Sequence, residues 1–327
     1  MKYELTGDTL TFQGRQLHRI CALVDLPEIG VKAGDLGGWI EKVENLSQEG
    51  NAWVADEAKA YDSTQVTGNA LLKNHAVAFD QTLLTDDVVV SDYAVISGEA
   101  EIQGKAKVSG GGLVTGVSLL ANKAQVSEYA QVVDSSVLDE GKVLHSAQVL
   151  NGSEIRDKAI AFGNAQIRNG SVLSDEALAY GQAILSGVEM YHQSQVHGNA
   201  KVAAPGSQLF DNVNIHGNTV ISNAVWIHDQ VKITGDVMID KRQEIKGDFT
   251  ISSQAQMELF YKWGVINESV KALPESHQAD GKALLDLATK TISVLSPQMQ
   301  ELALNNVQKQ FDILAKAHNE QMEIHHE

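Results

Sequence analysis

The stretch DYAVISGEAEIQGKAKVSG, residues 92–110, carries a six-residue pattern: an Asp or Gly, an Ala two places later, and an aliphatic residue two places after that. Outward from this stretch the pattern reaches back to Gly50 and forward to Val133 as about fourteen consecutive hexads, from GNAWVA and DEAKAY to EYAQVV. Position 1 is Gly, Asp, Asn or Glu. Position 3 is small (Ala52, Ala58, Thr64, Ala70, Ala76, Thr82), and position 5 is aliphatic (Val54, Val66, Leu72, Leu84, Val90, Ile96, Ile102, Val108). The array resumes over 139–186 and 211–258, where position 5 becomes Ile215, Ile221, Ile227, Ile233, Ile239, Ile245 and Ile251. No helix has this period.

Positions 3 and 5 lie two apart, so in extended chain they face the same way, while positions 4 and 6 face outward. Position 1 then marks a corner, because Gly, Asn and Asp tolerate left-handed backbone dihedrals. Three short strands and three corners make one turn of about eighteen residues. The predicted fold is therefore mainly β, a single-stranded left-handed parallel β-helix of hexapeptide repeats. Some 35 hexads would give about 12 turns, nearly 60 Å long at a strand spacing of ~4.8 Å. The period slips three times. DSSVL (134–138) and GVEMY (187–191) are one residue short, and APGSQLF (204–210) is one long. Counted in threes, all three fall on one side of the coil, which predicts two regular sides and one that tolerates distortion.

Open β-helix ends expose unpaired strand edges and need covers. Residues 1–49 are expected to form an N-terminal β cap, with a hairpin turning at Gly7–Asp8. The cluster Gly37, Gly38 and Trp39 is read as a packed turn at the first coil. Residues 50–258 form the β-helix and 259–327 an α-helical tail of about two helices. In that tail Ser296 and Pro297 read as an N-cap and first-turn pair. Leu285, Ile292, Leu295, Leu304, Val307, Phe311 and Leu314 provide an apolar seam, which His318 continues. Such a seam exceeds what the end of a β-helix can cover, so a homo-oligomer is expected, a trimer above other states, with His325 and His326 favouring the last helix's dipole when charged.

The N-terminal entry LHRICALVDLPEIGVKAGDLGGWIEKVENLSQEGNAWVADEAKAY, residues 17–61, above all VKAGDLGGWIEKVENLSQEGNAWV, resembles the entry region of the YdcK-like bacterial and prophage-encoded hexapeptide-repeat β-helix proteins. The likeness extends in style over about residues 10–258. It implies a left-handed β-helix and brings no reaction and no catalytic residue with it; the helical tail departs from that pattern.

Composition limits function. The formal charge of −17 is spread along the chain, and such a surface repels phosphate backbones and acidic lipid, so neither direct nucleic-acid binding nor membrane association is expected. The polar start MKYELTGDTL, the lack of a membrane-length apolar run and the single Cys21 point to a cytoplasmic protein without disulfides. Aromatics are only 6% of the chain, so Val, Ile, Leu and Ala must make the core.

Hexapeptide β-helices include many acyltransferases, which pair a general-base His with a protruding substrate loop. The widest deviation here adds one residue to a hexad, too little to wall off acyl-CoA. His197 and His216 both occupy position 6, three hexads apart, and should stack about 5 Å from each other; they are weak catalytic candidates, and a metal on the pair lacks an evident third ligand. Asp56, Asn74 and Asp92 form a corner ladder that Asx turns explain, with calcium as the sharper alternative. No cofactor is implied. The leading expectation is a non-enzymatic scaffold that binds a protein partner. The alternatives are an acyltransferase with an intersubunit site and an acidic mimic of nucleic acid that inhibits a DNA-binding protein.

Overall fold

A computed structural model describes residues 1–271. The chain divides into two compact units, one of Met1–Ile233 with Ile239–Thr250, the other of Thr234–Met238 with Ile251–Glu327. The first unit is a parallel β-solenoid of three faces. Face 1 stacks Ile40, Ala60, Ala78, Ile96, Val114, Val132, Val149, Ile167, Leu185, Val202 and Ile221 in register. Face 2 stacks Leu46, Val66, Leu84, Ile102, Leu120, Val137, Ile155, Leu173, Met190, Leu209, Ile227 and Ile245. Face 3 runs from Val54 through Leu72, Val90, Val108, Val126, Val143, Ala161, Ala179, Val196 and Ile215 to Ile233. All these residues are fully buried or within 1% of it. The expected position-5 core is thus one continuous apolar column per face, about twelve turns deep.

Most strands are two residues long, and each turn owes its order to the turn beside it. The N–H of Lys59, for example, donates to Ala76 O (3.0 Å) and that of Leu71 to Val88 O (2.8 Å). Corners at position 1 adopt left-handed dihedrals, as in Asp56 (φ +55°), Asn74 (φ +60°) and Asp92 (φ +62°), and the position-3 N–H closes a tight turn onto the carbonyl three residues back, as Ala58 does on Ala55 (3.1 Å).

All three slips lie on face 2. Leu120 pairs with Val137, one residue sooner than the spacing from Leu84 to Ile102. Leu173 likewise pairs with Met190, while Val188 pairs with Ser207 across a register shift. Here the corner between faces 1 and 2 is flattened: Ile184–Met190 and Lys201–Leu209 run through it as continuous strands.

Three local expectations need correction. The hairpin of β1 (Tyr3–Phe12) and β2 (Arg15–Ala22) turns at Gln13–Gly14, not at Gly7–Asp8. Gln13 (φ +48°) and Gly14 (φ +79°) both take the left-handed values that a two-residue hairpin loop demands, whereas Gly7–Asp8 lies in a bulge between Leu5 and Thr9. Second, Gly37, Gly38 and Trp39 sit in a strand, β3 (Leu36–Ile40), which pairs with β2 on one side and with Lys59–Ala60 on the other, so the first turn begins before Gly50. The glycines are there because a Cβ on Gly37 would come 2.6 Å from Ile20 and one on Gly38 2.6 Å from Ala58 O. Third, the segment SQAQME (253–258), which fits the hexad through Ala255 and Met257, is helical from Gln254.

The second unit holds that helix, α1 (Gln254–Lys271). Ser253 Oγ accepts the Gln256 N–H (3.3 Å), and the Gln256 side chain returns to the Ser252 N–H (2.6 Å), a reciprocal cap that overrides the repeat. Among the described residues no helix is long and apolar enough to cross a membrane. The expected features at Leu285, Ile292, Leu295, Ser296, Pro297, Leu304, Val307, Phe311, Leu314, His318, His325 and His326 lie outside the described residues.

Candidate functional site

His197 and His216 stack as expected, with ring centroids 4.7 Å apart and planes 12° from parallel. They are the end of a longer ladder along the edge of face 3. Tyr180 stacks on His197 at 4.4 Å and Phe162 on Tyr180 at 4.7 Å. Position 6 on successive turns places these rings one strand spacing apart, close to the preferred distance for aromatic contact. Asn214 Oδ1 accepts from His197 Nε2 (3.1 Å), which fixes the ring proton on Nε2. Burial pushes both imidazoles below their ordinary value; for His216 the charges of His197 and Lys232 add to it. Both are therefore neutral bases at neutral pH.

The same stacking decides against a metal shared by the pair. A ligand ion lies in the plane of its imidazole, and two nearly parallel rings 4.7 Å apart aim their lone pairs side by side rather than at one point.

The corner ladder of Asp56, Asn74 and Asp92 has a different explanation from the Asx turn. Asp56 Oδ2 accepts the Asn74 N–H (3.0 Å), Asn74 Oδ1 accepts the Asp92 N–H (3.2 Å), and Asp92 Oδ2 accepts the Gly110 N–H (2.9 Å). Each side chain caps the corner N–H of the next turn, a donor the strands leave over. Asp80 does the same for Gly98 and Asp86 for Gly104.

Along the corner that leads into face 3, this ladder changes chemistry. Asp175 Oδ2 accepts the His192 N–H (2.8 Å), but the next cap is an imidazole: Asp211 N–H donates to His192 Nδ1 (3.2 Å), and Asp229 N–H then donates to Asp211 Oδ2 (3.2 Å). His228 lies beside Asp229 at the end of face 2, stacked on Phe210 at 5.0 Å. Its Nδ1 is 3.1 Å from Asp229 Oδ1 and its Nε2 2.9 Å from Glu244 Oε1. The hydrogen bond to Glu244, assisted by Asp229, raises the His228 pKa. Asp157, Lys158, Asp175, Glu176, His192, Gln193, Asp211 and Asn212 line a shallow open depression along this corner. The sequence carries no motif for the meeting of Asp211, His228 and Asp229, which are ordinary hexad residues; the available signal is His192 replacing Asp in the position-1 column.

A third cluster is aromatic and exposed. At the corner into face 1, His75 stacks on Tyr93 at 5.1 Å, and two turns further Tyr129 lies over Gly111, 3.0 Å from where a Cβ would stand. Tyr93 is 68% and Tyr129 74% exposed.

With this geometry the molecule falls in the class of hexapeptide-repeat parallel β-solenoids. No family model matches the chain. Over 96 residues, 27% of its length, it is 30% identical to the uncharacterized acetyltransferase YdcK of Escherichia coli strain K12, and the match covers 29% of that protein. The chain thus spans less than a third of the relative it matches.

Proposed function

We propose that the chain is a rigid, non-enzymatic β-solenoid that binds a protein partner through the corner into face 1. The observation that carries this reading is the exposed pair Tyr93 and Tyr129 on a framework with two-residue corners. Tyrosine gives large contact area at low entropic cost, and two such rings on an otherwise polar edge are what a docking site offers. Stacked turns hold them without needing the partner to order them. A self-assembled trimer would present three such edges, and light scattering on the full chain tests for it. The test compares capture of partners from lysate by the intact chain and by Tyr93→Ser/Tyr129→Ser. A protein retained by the first and lost from the second supports the reading; capture that ignores the substitution removes it.

A second reading, an acyltransferase with an intersubunit site, is favoured by the neutral, oriented His197 and by the acetyltransferase name of the relative. Its signature is acetyl-CoA turnover that disappears in His197→Ala or His216→Ala. Such turnover would displace the scaffold reading.

A further inference from the structure

We propose that Asp211, His228 and Asp229 form a binding site for one divalent cation of the borderline class, such as Zn2+. One ligand atom from each residue lies within 4.8 Å of the other two, so that a small closing movement of the side chains would bring all three onto one ion. One imidazole nitrogen with two carboxylate oxygens suits Zn2+ or Mn2+ better than Ca2+, which takes oxygen alone.

Two further observations point to an ion. Glu244 Oε1 accepts from His228 Nε2 at 2.9 Å, which leaves Nδ1, 3.1 Å from Asp229 Oδ1, as the ring atom that can meet an ion. A carboxylate on the far nitrogen is the arrangement that orients metal-binding histidines. Without an ion a second ring proton on Nδ1 joins His228 to Asp229; an ion would take that proton's place. On the neighbouring turn His192 Nδ1 lies 3.2 Å from the Asp211 nitrogen and 2.9 Å from Asp211 Oδ1, so a second imidazole borders the site. The side chains are reachable, His228 being 17%, Asp211 40% and Asp229 49% exposed. Asp211 and Asp229 are consecutive corners of one ladder, so the backbone holds two ligands before any ion arrives.

The test is calorimetric titration of the chelator-stripped full chain with Zn2+. The expected result is one saturable equivalent, weakened at least about 10-fold by His228→Gln and by Asp211→Asn, and less by Glu244→Gln. The variants His197→Gln/His216→Gln and His325→Ala/His326→Ala should bind as the unaltered chain does. Because a substitution could perturb the corner, a second measurement uses the unaltered protein: Mn2+ should broaden the amide resonances of 211, 228 and 229 first. Absence of saturable Zn2+ binding up to about 1 mM, affinity unmoved by His228→Gln and Asp211→Asn, or broadening centred elsewhere would each overturn the site, leaving a proton shared between His228 and its carboxylates.

Discussion

The corner into face 2 and the corner into face 1 join strands of the same length and nearly the same sequence, yet they are built differently. Into face 1 the position-3 residue is Ala or Gly at most turns, and its N–H closes on the carbonyl three residues back, as Ala76 closes on Lys73 (3.2 Å) and Gly112 on Ser109 (3.1 Å). Into face 2 the same position holds a buried hydroxyl at most turns, Thr64, Thr82, Ser118, Ser135, Ser153, Ser171 and Ser207, with Ala100, Val188 and Val225 among the exceptions. From residue 116 the turn opens and the hydroxyl takes over: Ser118 Oγ donates to Thr115 O (2.7 Å) and accepts the Ser135 N–H (3.2 Å). Ser171 bridges Arg168 O (2.8 Å) and the Val188 N–H (3.1 Å) in the same way. A hydroxyl reaches where a short loop no longer brings the backbone groups together. This is why one face absorbs every change of period while the others keep theirs.

The largest expected effect challenges the core that both corners serve. Ile227 on face 2 and Ile233 on face 3 are fully buried on consecutive sides of one turn. Replacing either with Asp buries an unpaired charge and should cost ~3–5 kcal/mol, read as a fall in the urea midpoint. An unchanged midpoint in either variant would break the register.

The next pair sharpens the contrast between closed and open corners. A Cβ on Gly98 (φ +75°) would come 2.6 Å from the Gly116 nitrogen, whereas one on Gly170 (φ +73°), in an opened corner, would meet nothing within 4 Å. Both substitutions by Ala incur left-handed strain of about 1–2 kcal/mol, but Gly98→Ala adds a backbone clash. It should lower the melting temperature clearly more than Gly170→Ala; equal losses would mean the opened corner has no extra room.

Ser171→Ala leaves a buried carbonyl and a buried N–H without their bridge and should cost ~1–3 kcal/mol. A loss below the error of urea unfolding would remove the hydroxyl from the account of the slip. Asp92→Ala, at the corner into face 1, removes an exposed cap and puts Ala at φ +62°, and should cost about 1–2 kcal/mol, with Asp92→Asn close to neutral because it keeps both the acceptor and the tolerance for left-handed dihedrals.

The smallest effect is pH dependence from His197 and His216. Their folded pKa values lie below the ordinary one, so on acidification the unfolded chain takes up protons first. Their contribution to stability is complete above the ordinary imidazole value of about 6.5 and declines as pH falls below it. His197→Phe/His216→Phe should therefore lose less stability between pH 7 and 5 than the unaltered chain; a steeper loss would reverse the sign assigned to the ladder.

The sequence by itself determined the turn, the column of aliphatic residues inside it, the left-handed corners and the side on which the period slips. Each follows from residues at most a hexad apart and from the count of hexads. The stacking of His197 on His216 was legible for the same reason. What only tertiary structure decided lies where the partner is a whole turn away. Neither the cap that Asp92 places on Gly110 nor the hydroxyl bridge from Ser118 to Ser135 has a local signature, because both join neighbours that the chain reaches only after going once around. The ends show the same limit: Gly37 and Gly38 read as a turn until Ile20 and Ala58 are seen pressing on them, and Ala255 and Met257 continue the hexad until Ser253 caps a helix. The convergence of Asp211, His228 and Asp229 belongs to this second kind. Consecutive turns bring those ligand atoms together, a proximity that arises from the strand spacing rather than from any motif.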